Sequence, residues 1–181
     1  MSETDLSSCR FETQGPDEKI ELLLRAHEIT NLGWIVSVVV LAFFGLGFFL
    51  FSLTLDSPFS TLQSALLLVV WLLLLIGFAL QRYLYWFFNV YLVTNKKIVD
   101  VDFLNLFYKQ ISETPLENIQ DSTYRAAGFF QNHFDYGDLM IQTAGETENF
   151  EFLNIPDPDG VQEKIMDLSA QAKKVLGRNP L

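Results

Sequence analysis

Two uncharged apolar runs follow each other closely in this chain, Leu32 to Leu53 and Leu62 to Leu80, and about a hundred residues of mixed polar and apolar sequence come after them. The first reads LGWIVSVVVLAFFGLGFFLFSL and the second LQSALLLVVWLLLLIGFAL. At a rise of about 1.5 Å per residue, a helix of about 20 residues matches a hydrocarbon core of roughly 30 Å. Neither run carries a charge, so the cost of roughly +2.5 to +3.5 kcal/mol for an ionised side chain at the helix centre never arises. Each Leu, Ile, Phe or Val instead favours insertion by about 0.3 to 0.6 kcal/mol. A buried core helix could explain one such run; two in tandem point to a transmembrane helical hairpin. A cleaved signal is disfavoured, because the preceding segment is acidic, the apolar stretch exceeds an h-region of about 7 to 15 residues, and Ser52 to Asp56 offers no small-x-small site.

Lys and Arg near the helix ends set the expected orientation. Arg10, Lys19 and Arg25 precede the first run, Arg82, Lys96 and Lys97 follow the second, and the loop Thr54 to Thr61 holds Asp56 but no basic residue. Both termini are therefore expected in the cytoplasm, with the chain crossing the membrane twice. Asp56, Ser57 and Pro58 form a turn signal. No ionisable residue lies within either run, which favours an anchor over a channel, pump or proton-coupled transporter. Gly33, Ser37, Ala42, Gly45 and Gly47, with Ala65, Gly77 and Ala79, allow the two helices to approach closely.

The net charge of −10 falls mostly outside the apolar runs, so nucleic acid is a poor partner. Cys9 is the only cysteine and fits a reducing compartment. His27 and His133 have no zinc-like spacing to each other or to Cys9, so no metal and no cofactor is expected.

Four regions are expected. Residues 1–15 read as a disordered or loose segment, 16–82 as a juxtamembrane helix and the hairpin, 83–177 as a cytoplasmic domain and 178–181 as a tail. Pro16 followed by Asp17 and Glu18 is a helix-start signal, with Ile20, Leu23, Leu24 and His27 on one face. That helix either lies along the bilayer surface or continues into the first span. From Tyr83 the sequence turns aromatic and β-prone, with Tyr85, Trp86, Phe87, Phe88 and Tyr91, so a strand is expected to begin there beside the membrane interface. Val99, Val101 and Phe103 alternate with Asp100 and Asp102, predicting a half-buried strand whose acids face solvent. Asn95 and Lys96 make the turn before it. Further strands are expected at 108–114, 119–124, 139–143 and 150–155, with Ala144, Gly145 and Glu146 in a turn. Asp157 and Pro158 then start a helix whose stripe Val161, Ile165, Leu168, Ala172 and Val175 packs on the sheet.

The segments YLVTNKKIVDVD (Tyr91 to Asp102), TPLENIQD (Thr114 to Asp121), GFFQNHFDYGDLMIQTAG (Gly128 to Gly145) and NIPDPDGVQEKI (Asn154 to Ile165) resemble the bacterial pleckstrin-homology (PH)-like domain of membrane proteins, a group typified by YdbS-like proteins. The resemblance covers Tyr85 to about Leu176, and a preceding helix pair is the usual companion of that domain. It implies an α+β membrane protein: a two-helix transmembrane hairpin followed by a PH-like, partly open antiparallel β-barrel with a C-terminal α-helix. Such domains have seven strands, and six can be placed here. Phosphoinositide-binding relatives use a basic cluster at the first strand turn, a position where this sequence offers Lys96 and Lys97.

No catalytic residues are expected. Asp100 and Asp102 read as the solvent side of a sheet, and Asp135 and Asp138 as turn residues. Arg82, Lys96, Lys97 and Trp86 are candidates for membrane-surface contact. Phe129, Phe130 and Phe134 most simply cover a barrel end, and are otherwise candidates for a partner surface or membrane contact. The expected role is a non-catalytic binding or scaffolding module held at the cytoplasmic face of the bacterial inner membrane. The alternative is a structural or regulatory subunit of a larger membrane complex. Its expected partners are the lipid bilayer and another membrane protein or a second copy of itself. A fragment beginning near Tyr91 is expected to be a soluble domain with little affinity for liposomes.

Overall fold

A computed structural model describes residues 14–15, 17–54, 58–105, 108–144 and 149–178. Cys9 and Arg10, most of the expected loose segment 1–15, Pro16, Asp56 and Ser57 of the loop, Gly145 and Glu146 of the later turn, and residues 179–181 of the tail lie outside the described residues. The order is β1 (Ile20–Leu24), α1 (Leu32–Ser52), α2 (Thr61–Phe88), β2 (Val90–Thr94), β3 (Lys97–Asn105), β4 (Tyr108–Pro115) and β5 (Ile119–Arg125). Then come α3 (Phe129–His133), β6 (Tyr136–Thr143), β7 (Phe150–Pro156) and α4 (Pro158–Arg178). Short 3-10 turns occupy Glu28–Asn31 and Leu116–Asn118. The chain divides into two compact units: Glu28–Trp86, and a β unit made of the residues up to His27 and from Phe87 onward.

In the helical unit, α2 begins with a reciprocal cap. The Ser60 hydroxyl accepts the Gln63 N–H at 3.3 Å, and Gln63 Oε1 accepts the Ser60 N–H at 3.0 Å. A side chain at Gly45 would collide with the Trp71 ring, whose indole N–H donates to the Leu41 carbonyl at 3.0 Å. Gly45 is thus the small residue that lets α1 and α2 approach, whereas Gly33, Gly47 and Gly77 have open space around them. Phe43, Phe44, Leu73 and Leu74 all point outward. Both helices are long and apolar enough to cross a membrane.

The β unit contains a four-stranded sheet in the order β1-β2-β3-β4 and a three-stranded sheet in the order β5-β6-β7, with every pairing antiparallel. Leu24, Val93, Ile98, Leu116, Ile119, Leu139, Ile141, Phe152, Ile155 and Ile165 form its core. Each such side chain contributes about 1.5–3 kcal/mol by leaving water. The terminal helix follows the expected stripe: Val161 and Ile165 are buried, and Leu168 and Ala172 pack beside them. Val175 remains exposed. Asp157 caps α4, its Oδ1 accepting the Gly160 N–H at 3.1 Å.

Three expectations need correction. Residues 20–24 are not a juxtamembrane helix but β1, which pairs with β2 through Leu22↔Val93 and Leu24↔Tyr91. This is the seventh strand, and it places a piece of the β unit ahead of both apolar helices. The helix-start signal at Pro16 loses to a pairing that buries Leu24 and packs Leu22 against the core. Lys164 of α4 also reaches Glu21 of β1 at 3.3 Å. Second, α2 runs on to Phe88, so Tyr83, Tyr85 and Trp86 belong to a helix and the strand starts at Val90. An established helix adds a backbone hydrogen bond with each residue, which outweighs the modest β-preference of aromatics. Third, Asp100 and Asp102 are not on the solvent side of the sheet but half-buried. Val93↔Ile98 and Tyr91↔Asp100 are direct cross-strand pairs, so Asp100 shares the face that carries the core residues Tyr91 and Ile98. The opposite face of the same sheet also buries Leu92 and Val99.

Candidate functional site

The end of the β unit where the chain departs and returns is fixed by several contacts. His27, the last residue before Glu28, donates its N–H to the Asn154 carbonyl at 2.7 Å and stacks on Tyr136 with ring centroids 5.3 Å apart. On the returning side, Phe88 packs against Phe103 at 5.2 Å, and Asn89 Oδ1 accepts the Phe103 N–H at 2.7 Å. The guanidinium of Arg25 lies 4.4 Å from the ring centroid of Phe87, joining the two sides by a cation–π contact. The Tyr91 hydroxyl, accepting the Leu153 N–H at 3.1 Å, ties β2 to the three-stranded sheet.

Lys96 and Lys97 lie at the other end of β2, about 16 Å away for a five-residue strand. Their turn joins the second and third strands, not the first and second. The first connection of this domain is the whole stretch from Arg25 to Asn89, with both apolar helices inside it. The Thr94 hydroxyl accepts the N–H groups of Lys96 and Lys97 at 3.2 and 2.9 Å and shapes this turn. Lys97 is also neutralised by Glu113, at 2.7 Å. Lys96 borders an open groove of about 730 Å³ with Glu18, Asn95, Leu168 and Val175. Arg82 is exposed on α2, one turn before Trp86, whose ring is 6.1 Å from that of Tyr83.

Phe129, Phe130 and Phe134 do not cover the core. They are 77 %, 63 % and 42 % exposed; Phe129 packs against Phe130, and His133 lies against both Phe129 and Phe134. The segment projects because Gly128 turns the chain with φ +123°, a conformation open to glycine. At its other end Asp135 adopts φ +50° and returns the chain to Tyr136. Gly137 follows, where a side chain would press on the Arg125 carbonyl across the β5–β6 pair. Asp138 Oδ1 accepts the Asn154 N–H at 2.8 Å, a structural use of the acid.

Asp100 has its carboxyl pushed up to about 7, first by burial and then by the negative charge of Asp102. Asp102 is raised by burial as well. One carboxylate oxygen of Asp100 is buried with no hydrogen-bond partner among the described residues. The pair sits on the inner face of a sheet rather than in a cleft. Among the described residues, no group of three or more His, Cys, Asp or Glu is arranged to hold a metal ion.

Among the described residues, seven antiparallel strands in sheets of four and three, with a terminal helix packed on them, are consistent with the PH-like architecture implied by the sequence resemblance. The family model of the bacterial PH domain matches residues 29–169. The chain belongs to the bacterial PH domain family. The matched span begins after β1, so the strand that completes the four-stranded sheet lies ahead of the region carrying the family's sequence pattern. A crystal structure of a DUF1696-family protein with a pleckstrin-homology domain, from Shewanella loihica PV-4, is similar at 19 % identity, covering 45 % of this chain and 70 % of that one with a TM-score of 0.38. No curated protein matches this chain.

Proposed function

We propose that this bacterial PH domain protein is a membrane-anchored, non-catalytic recognition module, its helical hairpin holding the β unit at the cytoplasmic face of the inner membrane. The observation that carries this reading is the exposure of the two apolar helices: 6 % and 11 % of their most apolar stretches are buried. A core helix of a soluble protein would be sealed, whereas these side chains suit a hydrocarbon solvent. The pairing of β1 with β2 supports an even number of crossings, since the strands flanking the hairpin belong to one sheet and so to one side of the bilayer. It also argues against removal of the first helix as a signal, which would take β1 with it. The basic residues on the two flanks favour the cytoplasmic side. The partner is another membrane protein or a second copy of this chain, and the hairpin alone localises the module.

The test combines extraction and labelling. The protein should resist alkaline carbonate. In intact cells, Cys9, or a cysteine at Lys173 in a Cys9→Ser background, should be shielded from a membrane-impermeant thiol reagent, and one at Ser57 should react. Release by carbonate would remove the anchor, and the opposite labelling pattern would invert it. Recovery of one stoichiometric protein after gentle detergent extraction would favour the subunit role.

A further inference from the structure

We propose that the exposed aromatic segment at residues 129–134 is a second membrane contact, its phenylalanine rings seated in the headgroup boundary of the leaflet that the hairpin enters. This rests on the membrane-anchored reading above and adds a site to it. The segment joins β5 to β6 at a defined end of the β unit. His27, one residue before the chain departs toward α1, stacks on Tyr136, two residues beyond Phe134. The same end holds the returning side, through Phe88 against Phe103 and Arg25 over Phe87. Both chain crossings therefore emerge beside the aromatic segment, whereas the turn with Lys96 and Lys97 lies at the far end of β2.

The chemistry of the segment fits a lipid surface. Phe129 and Phe130 lie edge to face with centroids 5.9 Å apart and are the most exposed aromatic side chains outside the apolar helices among the described residues. They carry no polar group that a protein partner would need to satisfy, and apolar side chains of this kind settle roughly 5–10 Å into the headgroup and acyl boundary. Arg25, Lys109 and Arg125 belong to the same end; Lys109 lies 6.0 Å from the Phe103 ring centroid, and Arg125 pairs in register with Asp138 of β6. Two or three rings would bind a bilayer weakly on their own. Tethering by the hairpin makes the contact intramolecular, with an effective concentration of about millimolar, so a weak contact is enough to fix how the β unit sits on the leaflet.

The full-length protein, with Cys9→Ser and a single cysteine introduced at Phe130, is labelled with the environment-sensitive dye NBD. It is then reconstituted in vesicles of phosphatidylethanolamine and phosphatidylglycerol. Equivalent labels at Lys96 and at Gln142 serve as references. The label at position 130 should emit to the blue of both references and be quenched by doxyl-labelled lipid, with little effect of salt. Water-like emission at all three positions, in protein that still resists carbonate, would overturn the contact while leaving the anchor intact. Loss of carbonate resistance would defeat both. A blue shift at position 130 without quenching by lipid would assign the segment to a protein partner and overturn the lipid proposal. Because a label replaces one ring, the Phe129→Ser/Phe134→Ser double variant of the labelled chain provides a second reading. Its emission should move toward that of the references, and an unchanged blue-shifted emission would show that the rings do not act together at the bilayer.

Discussion

In the β unit, Val93, Ile98, Leu139, Phe152 and Ile165 are sealed from solvent. In the helical unit, Phe43, Phe44, Leu73 and Leu74 of equally apolar kind point outward. The same residue types thus serve two ends within one chain, one unit excluding water from an interior and the other presenting an apolar surface that, under the proposed anchoring, meets hydrocarbon. The boundary between the regimes is not a single point along the sequence. β1 comes first, the helices follow, and the sheet resumes at Val90, so the unit that needs an interior is assembled from both sides of the unit that does not.

The most damaging way to break this contrast is to take the sequence order literally. A fragment starting at Tyr91 lacks β1, exposes the edge of β2 and strips Leu22 and Leu24 from the core, so it should be unfolded or aggregated. Joining Leu24 to Val90 through a short polar linker should give a soluble folded β unit. Circular dichroism and gel filtration of the two fragments would tell them apart, and equal behaviour would show that β1 is dispensable. This replaces the expectation that a fragment from Tyr91 is a free-standing domain.

Next in size, Ile165→Asp buries a charge against the core and should cost about 3–5 kcal/mol, enough to unfold a marginal domain. Glu163→Gln on the exposed side of α4 should change stability by less than about 0.5 kcal/mol. Chemical denaturation of the linked β unit would measure both, and similar midpoints would mean that α4 does not pack as described.

Within the helical unit, Gly45→Val forces a side chain into Trp71 and should loosen the hairpin by about 1–3 kcal/mol. Gly77→Val meets open space and should be near neutral. Steric trapping or thermal aggregation in detergent would compare them.

The smallest expected effect concerns Asp100. Its carboxyl holds a proton up to about pH 7 in the folded state against an ordinary value of 3.8, so its contribution to stability is complete below about pH 4 and is lost as the pH rises toward 7. Asp100→Asn should remove that loss. It should stabilise the β unit at pH 8 by about 1–2 kcal/mol after allowance for solvent screening, and give no gain at pH 4. Melting curves of both proteins across this range would test it, and parallel pH profiles would contradict the shifted carboxyl.

The sequence made the helices legible because unbroken apolarity needs no partner to be recognised. It also revealed six strands and the stripe on α4, where local periodicity agrees with the final packing. β1 was hidden for a physical reason: its partner residues lie 67 to 74 positions further on, and Pro16, Asp17 and Glu18 mimic a helix start. The alternation of Leu22 and Leu24 was the available clue. For β3, period-two alternation told which residues share a face but not which face looks inward, because that depends on β2 and β7. Among the candidate contacts, the exposed aromatics at 129–134 were visible as a cluster, but their position beside His27 and Tyr136 came only with the fold. Lys96 and Lys97 look like the first turn in the sequence because β1, the true first strand, is separated from them by the two apolar helices.

With the hairpin in the membrane as proposed, its place between two strands that must pair would give the molecule a check on its own biogenesis. The ribosome completes β1 long before β2, so the edge of the four-stranded sheet cannot close until both helices have been made. If one helix failed to insert, β1 and β2 would emerge on opposite sides of the bilayer, and no folded sheet could form from that chain. A completed β unit would then be a certificate of correct threading, and a misthreaded copy would present an unpaired β2 edge as a mark for quality control.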